Sequence, residues 1–298
     1  MFDEQTLEMM RIELRNRYIK AYAVVAVFAV ILGFVFSFFP LFGFMLGVVL
    51  GLIVVGLVSR GWNAPYVRAF KEAVAGETFR AYFNNVRTDY QEGFSEDAIE
   101  SMGLISTGNR FSSDGYISGE CNGVPFQRSD VYIANVTTDS EGHSHTTVYF
   151  EGRWMMFRFP KKIAGDLQIL EKSFSYANRK NGIFTGKSSR RHKVEMEDSR
   201  FNHDFTVMAQ QDQDAFYFLT PHRMEEIMRY CESIQGDVMI GIIGNILHVA
   251  VNNRKNAMEP KVFGQNNMQM AKAECEYEAQ LIRKTVQFFD LDEEVFQG

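Results

Sequence analysis

Cysteine is scarce in this chain of 298 residues. Cys121, Cys231 and Cys275 are odd in number, far apart and without a CxxC pair, which excludes a disulfide framework and a structural zinc site. Read as small apolar side chains, they fit a reducing compartment. The compact signatures of catalysis are missing too. No serine lies in GxSxG, no HExxH occurs, and no glycine loop matches a Walker or dinucleotide fingerprint. His192, His203, His222 and His248 stand at no triad spacing, and the paired acids Asp212 and Asp214 in "QQDQDAF" read as a solvated strand start. No internal repeat or low-complexity tract is present. A net charge of −6 excludes wholesale nucleic-acid character, so no nucleic-acid partner is expected. Neither a catalytic residue nor a cofactor is assigned.

Charge itself is absent from Ala21 to Val58, where Tyr22 and Ser37 carry the only hydroxyls. As one helix, these about 38 residues would stretch roughly 57 Å, nearly twice a bilayer's hydrocarbon core. Two spans of about 18 residues fit instead. Pro40 stands at the midpoint, where it ends one helix and can open the next, giving spans of about 21–39 and 41–58. Arg11, Arg15, Arg17 and Lys20 precede the run and Arg60, Arg68 and Lys71 follow it, so the positive-inside rule places both flanks in the cytoplasm. A signal peptide would be shorter, with a basic start and a small-residue cleavage site. Gly43, Gly47 and Gly51 fall on one helix face and read as a close-packing surface within the hairpin, or as a contact for a second subunit.

The remainder is read as soluble. Leu7, Met10, Leu14 and Tyr18 mark an amphipathic helix over 1–20 ahead of the hairpin at 21–59. Residues 60–104 form a juxtamembrane helical region. There Tyr66, Phe70 and Val74, then Phe79, Phe83 and Val86, lie on helix faces, and Ser95 caps a short helix. A β-rich α+β domain follows over 105–260, then a C-terminal helix, about Met268 to Phe289, and tail within 261–298. The period of two begins near Gly108, with turns expected at Asp114-Gly115, Asn122-Gly123, Glu151-Gly152 and Gly244-Asn245. Strands are expected near Leu167, Val194 and Phe205 and across "DAFYFLT". A helix follows with Thr220 as N-cap, Pro221 at its first position and Gly236 beyond its end. The fold class is therefore α+β: a two-helix transmembrane hairpin, then a mostly antiparallel cytoplasmic domain with peripheral helices.

"DGYISGECNGVPFQRSDVYIAN", "VYFEGRWMMFRFPKKIAGDLQIL" and "DQDAFYFLTPHRMEEIMRYCESIQGDVMIGIIGNILHVAV", in this order after an apolar hairpin, resemble the DUF3137 family of unknown function. The resemblance implies a bacterial protein of the inner membrane, sometimes encoded beside LemA-type membrane proteins, which would make such a protein a candidate partner. It brings no catalytic residues.

Two patterns carry possible chemistry. His143 and His145, two apart on a strand, would turn their rings to one face and could share a metal with Asp139 or Glu141, although the segment also reads as a solvated loop. From Arg153 to Lys193 there are eleven Lys or Arg against Asp166 and Glu171, a net of +9 that leaves −15 on the rest of the chain. Lys161, Lys162, Arg179, Lys180, Lys187, Arg190, Arg191 and Lys193 suit an anionic lipid surface or an acidic partner, or else form a solvated basic loop. The expected function is a membrane-anchored binding or scaffold module. A metal-dependent tethered hydrolase and an accessory subunit of a membrane complex stand as alternatives. Oligomeric state is not legible.

Overall fold

The structure, a computed structural model, describes residues 3–36, 38–159, 166–174, 191–254, 260–264 and 266–289. The chain divides into two compact units, one of residues 1–78 and 257–276, the other of residues 79–256 and 277–298.

In the first unit, α1 (Glu4–Val35) opens on Asp3, whose carboxylate accepts from Thr6 N at 2.9 Å. It runs unbroken through the amphipathic stretch and the first apolar stretch, so the two expected segments are one helix. Its partner α2 (Pro40–Val58) begins on the proline that closes the turn. Both helices are long and apolar enough to cross a membrane. Away from their mutual seam they bare large apolar side chains, among them Phe34, Leu41, Phe42 and Leu57. A turn of 3₁₀ helix leads to α3 (Ala64–Lys71), which buries Tyr66 and Phe70. A wider π-type turn over Glu72–Gly76 then joins α4 (Glu77–Tyr82).

Among the described residues the second unit is built on one antiparallel sheet of nine strands in the order β1-β2-β3-β4-β9-β8-β5-β7-β6. These are β1 (Asn84–Asp89), β2 (Arg110–Cys121), β3 (Val124–Thr138), β4 (Ser144–Arg158), β5 (Asp166–Glu171), β6 (His192–Val194), β7 (Phe205–Ala209), β8 (Asp237–Ile243) and β9 (Ile246–Asn252). Helices α5 (Glu96–Ser101), α6 (Ser199–Asp204), α7 (Asp212–Phe218) and α8 (Pro221–Glu232) fill the connections, and α9 (Met268–Phe288) ends the described chain. The caps follow side-chain chemistry: Ser95 Oγ accepts from Ala98 N at 3.2 Å and Thr220 Oγ1 from Arg223 N at 3.3 Å.

Both faces of the sheet are buried. On one, Trp154, Met156, Leu170, Met239 and Ala250 meet Phe94, Ile99, Leu104, Ile105 and Phe174. The register places Arg128, Met155 and Val249 on the other face, where Glu278 of α9 reaches Arg128. Helices α8 and α9 are joined there by the 2.6 Å hydrogen bond between the Tyr230 and Thr285 hydroxyls.

Four further expectations differ from the structure. Asp114-Gly115 is a bulge inside β2 rather than a turn: the register slips between Asp114 and Ile117, and Gly115 takes a φ of 68°. Glu151-Gly152 does not break β4. Gly152 is small there because a Cβ would meet Val251 O of the neighbouring strand at 2.0 Å. "DAFYFLT" is mostly helix α7, not strand. Asp212 and Asp214 favour its first turn, and Ala215 and Phe218, three apart, supply its buried face. Finally, the helix through Phe79 ends at Tyr82, and Asn85 with a φ of 53° starts the chain into β1, so Val86 is on a strand.

Candidate functional site

Glycine spacing decides the geometry of the hairpin. A Cβ on Gly43 would stand 2.4 Å from Leu32 O, on Gly47 2.6 Å from Ala29 Cα, and on Gly51 2.5 Å from Val25 Cγ1. Every contact is to α1, so the glycine face is occupied within the hairpin by the preceding helix. At the root of the hairpin, Tyr18 donates to Asn63 Oδ1 at 3.0 Å and meets Trp62 edge-on at 5.3 Å.

Of the basic segment, Lys161, Lys162, Arg179, Lys180, Lys187 and Arg190 lie outside the described residues. Arg191 is turned inward: its guanidinium donates to Gly103 O at 2.9 Å and Met102 O at 3.1 Å and faces Asp166 at 3.4 Å. With Gln168, which donates to Leu104 O at 2.7 Å, it fastens the 102–104 loop over the sheet. Lys193 is exposed on the edge strand β6 and pairs with Glu195.

His143 and His145 lie at the tip of the β3–β4 hairpin, exposed to solvent. Asp139 organises that tip, its Oδ1 accepting from Glu141 N and His143 N while Oδ2 stands 3.4 Å from a ring nitrogen of each histidine. Among the described residues no group of three or more His, Cys, Asp or Glu is arranged to hold a metal. Cys121, Cys231 and Cys275 are buried, and none forms a disulfide with another described residue.

What the sequence did not reveal is a buried ionic cluster on the sheet. Glu278 accepts from Arg128 through both Nε and Nη2, the latter at 2.8 Å, and faces Arg153 Nε at 3.0 Å. Arg128 Nη1 further donates to Gly115 O at 2.8 Å and Asp130 Oδ2 at 3.0 Å. Burial alone would raise the Glu278 carboxyl, but Arg128 and Arg153 outweigh it and hold the group below its ordinary value. Asp130 goes the other way, because burial there exceeds the pull of the same two arginines. Alternation offered a signal: Phe126, Arg128 and Asp130 share the core-facing parity of β3. A second buried polar group, His248, accepts from Trp154 Nε1 at 3.4 Å through Nδ1, which leaves its proton on Nε2. Burial, aided by Arg191, lowers it to about 3.

One cavity, of about 720 Å³, is an open groove between α6 and α8 whose lining includes Ser199, Arg200, His203, Asp204, Glu225 and Arg229. Its charges answer one another, His203 to Asp204 at 2.7 Å and both arginines to Glu225. A second open cavity of about 490 Å³ lies over β1 to β4, with Arg87 and Arg158 beside Tyr116, Ser118 and Gln127.

The model of DUF3137, a protein of unknown function, matches residues 148–291. No curated protein matches the chain in sequence. Among solved structures the chain is similar to the crystal structure of the mycobacterial trehalose monomycolate transport factor A, TtfA. The two share 5% identity at a TM-score of 0.37, covering 72% of this chain and 94% of that one. So remote a likeness carries nothing about activity.

Proposed function

Residues 148–291 belong to the DUF3137 family, and from that premise we propose that the chain is a membrane-anchored binding module. Its two apolar helices cross the inner membrane of a bacterium as a hairpin, both ends on the cytoplasmic side, and its sheet domain works in the cytoplasm. One observation carries this reading. The hairpin is packed through Gly43, Gly47 and Gly51, yet bares a continuous coat of Phe, Leu, Val and Ile that water would not tolerate and hydrocarbon solvates. A buried core helix would hide that coat, whereas the apolar windows here are only 17% and 22% buried.

The ligand side of the reading rests on charge. The +9 segment from Arg153 to Lys193 sits in a chain held at the membrane, where each basic residue near an anionic surface contributes about 1 kcal/mol. Since Arg191 is spent on backbone carbonyls, Lys161, Lys162, Arg179, Lys180, Lys187, Arg190 and Lys193 are the residues assigned to the headgroups. The test uses the full chain in detergent, comparing its thermal midpoint with phosphatidylglycerol and with phosphatidylcholine added. The reading expects a preference for the anionic lipid that disappears when these seven residues become glutamate. An unchanged preference would sink the lipid assignment.

A further inference from the structure

Two spans do not account for residues 260–264 and Asn266, which return late in the chain to the root of the hairpin. Arg11 Nη1 donates to Val262 O at 3.2 Å and so ties this turn to α1. Asn266 closes it, accepting from Lys261 N at 2.8 Å and donating to Lys261 O at 2.9 Å, while the same amide donates to Tyr66 Oη at 2.9 Å. Held in this way, Phe263 lays its ring against Tyr18 with 5.8 Å between centroids.

Despite that contact Phe263 is 62% exposed, an expensive state for a phenyl ring in water. Its depth explains the exposure. Tyr18 stands less than one helical turn before Ala21, where charge vanishes from the sequence, a rise of about 5 Å. That is the level at which tyrosine and tryptophan gather in membrane proteins, and there Tyr22 stacks on Tyr18 while Trp62 meets it edge-on. Lys261, exposed in the same turn, has the charge that suits a lipid phosphate.

We propose that this turn is a third membrane contact: Phe263 enters the boundary between headgroups and acyl chains, with Lys261 at the phosphates. The occupant is lipid because the surface continues the coat of the two spans. The turn would fix how deep the hairpin root sits. This inference rests on the hairpin reading and can fail separately from it.

The test is the collision rate of nitroxide labels with a water-soluble nickel chelate. The full-length protein is reconstituted in liposomes with Cys121, Cys231 and Cys275 replaced by alanine. A label at Phe263→Cys is expected to collide roughly tenfold less than one at Glu141→Cys, matching one at Tyr22→Cys. Lys261→Cys reports the same turn without altering the aromatic cluster and is expected to fall between them. If both labels in the turn collide as freely as Glu141→Cys while Val49→Cys stays shielded, the third contact is refuted and the hairpin stands. Free collision at Val49→Cys refutes the hairpin as well.

Discussion

Glu278→Leu is the substitution whose effect the structure constrains most tightly. The carboxylate is fully buried and receives Arg128 through two nitrogens and Arg153 through one, while among the described residues Asp130 is a second anion, 3.0 Å from Arg128 and 3.8 Å from Arg153. Its removal takes from two buried guanidinium groups the carboxylate that they share most closely. Breaking a buried pair in this way costs about 3–5 kcal/mol, whereas replacing both members with apolar groups of similar volume is often neutral. Glu278→Gln keeps the shape and loses the charge, and should cost about 1.5–3 kcal/mol. The double variant Arg128→Met with Glu278→Leu should recover most of the loss, a coupling that an additive pair would not show. Urea unfolding in detergent, followed by Trp154 fluorescence in a Trp62→Phe background, gives the free energies. A loss below about 1 kcal/mol for Glu278→Leu, or a double variant no more stable than the single, would refute the claim that this cluster fastens α9 to the sheet.

His248 supplies a pH prediction. Its folded value of about 3 lies below the unfolded 6.5, so between those limits the unfolded chain binds a proton that the folded chain does not. Stability is therefore lost as pH falls, by about 2 kcal/mol from pH 7 to pH 5. Unfolding curves of wild type and His248→Leu should diverge by that amount, with the shallower pH slope in the variant. Gly47→Val puts a side chain 2.6 Å from Ala29 Cα, which cannot yield, and should weaken the hairpin by about 1–3 kcal/mol in SDS titration of mixed micelles. Thr220→Ala removes the cap of α8 and should cost about 1 kcal/mol in the same urea assay. Arg191→Lys loses the fork that spans two carbonyls, so amides of the 102–107 segment should exchange faster while the sheet core is unaffected.

The apolar hairpin was readable because its signal is composition over tens of residues, and the Thr220-Pro221 helix because capping chemistry is local. The antiparallel class followed from turn residues spaced along alternating strands. Glycine misled twice. Gly115 and Gly152 stand inside strands, one for a bulge and one for a close approach of Val251, and only the neighbouring strand distinguishes these uses from a turn. Short α7 looked like a strand because four apolar residues in a row have no visible period. The ionic cluster was hidden for a different reason: Arg128 and Glu278 are 150 residues apart, and each taken alone reads as an ordinary surface charge. Arg191 shows the converse, a residue assigned to a basic surface that the fold spends on the 102–104 loop. His143 and His145 do converge on Asp139, at an exposed hairpin tip.

The two-span anchor is tested most directly by labelling single cysteines with a membrane-impermeant maleimide in sealed inverted vesicles. Glu4→Cys and Lys193→Cys should label together in intact vesicles, and Phe39→Cys only after the membrane is permeabilised. Labelling of Phe39→Cys from the same side as Lys193→Cys, or of Glu4→Cys and Lys193→Cys from opposite sides, would contradict the hairpin.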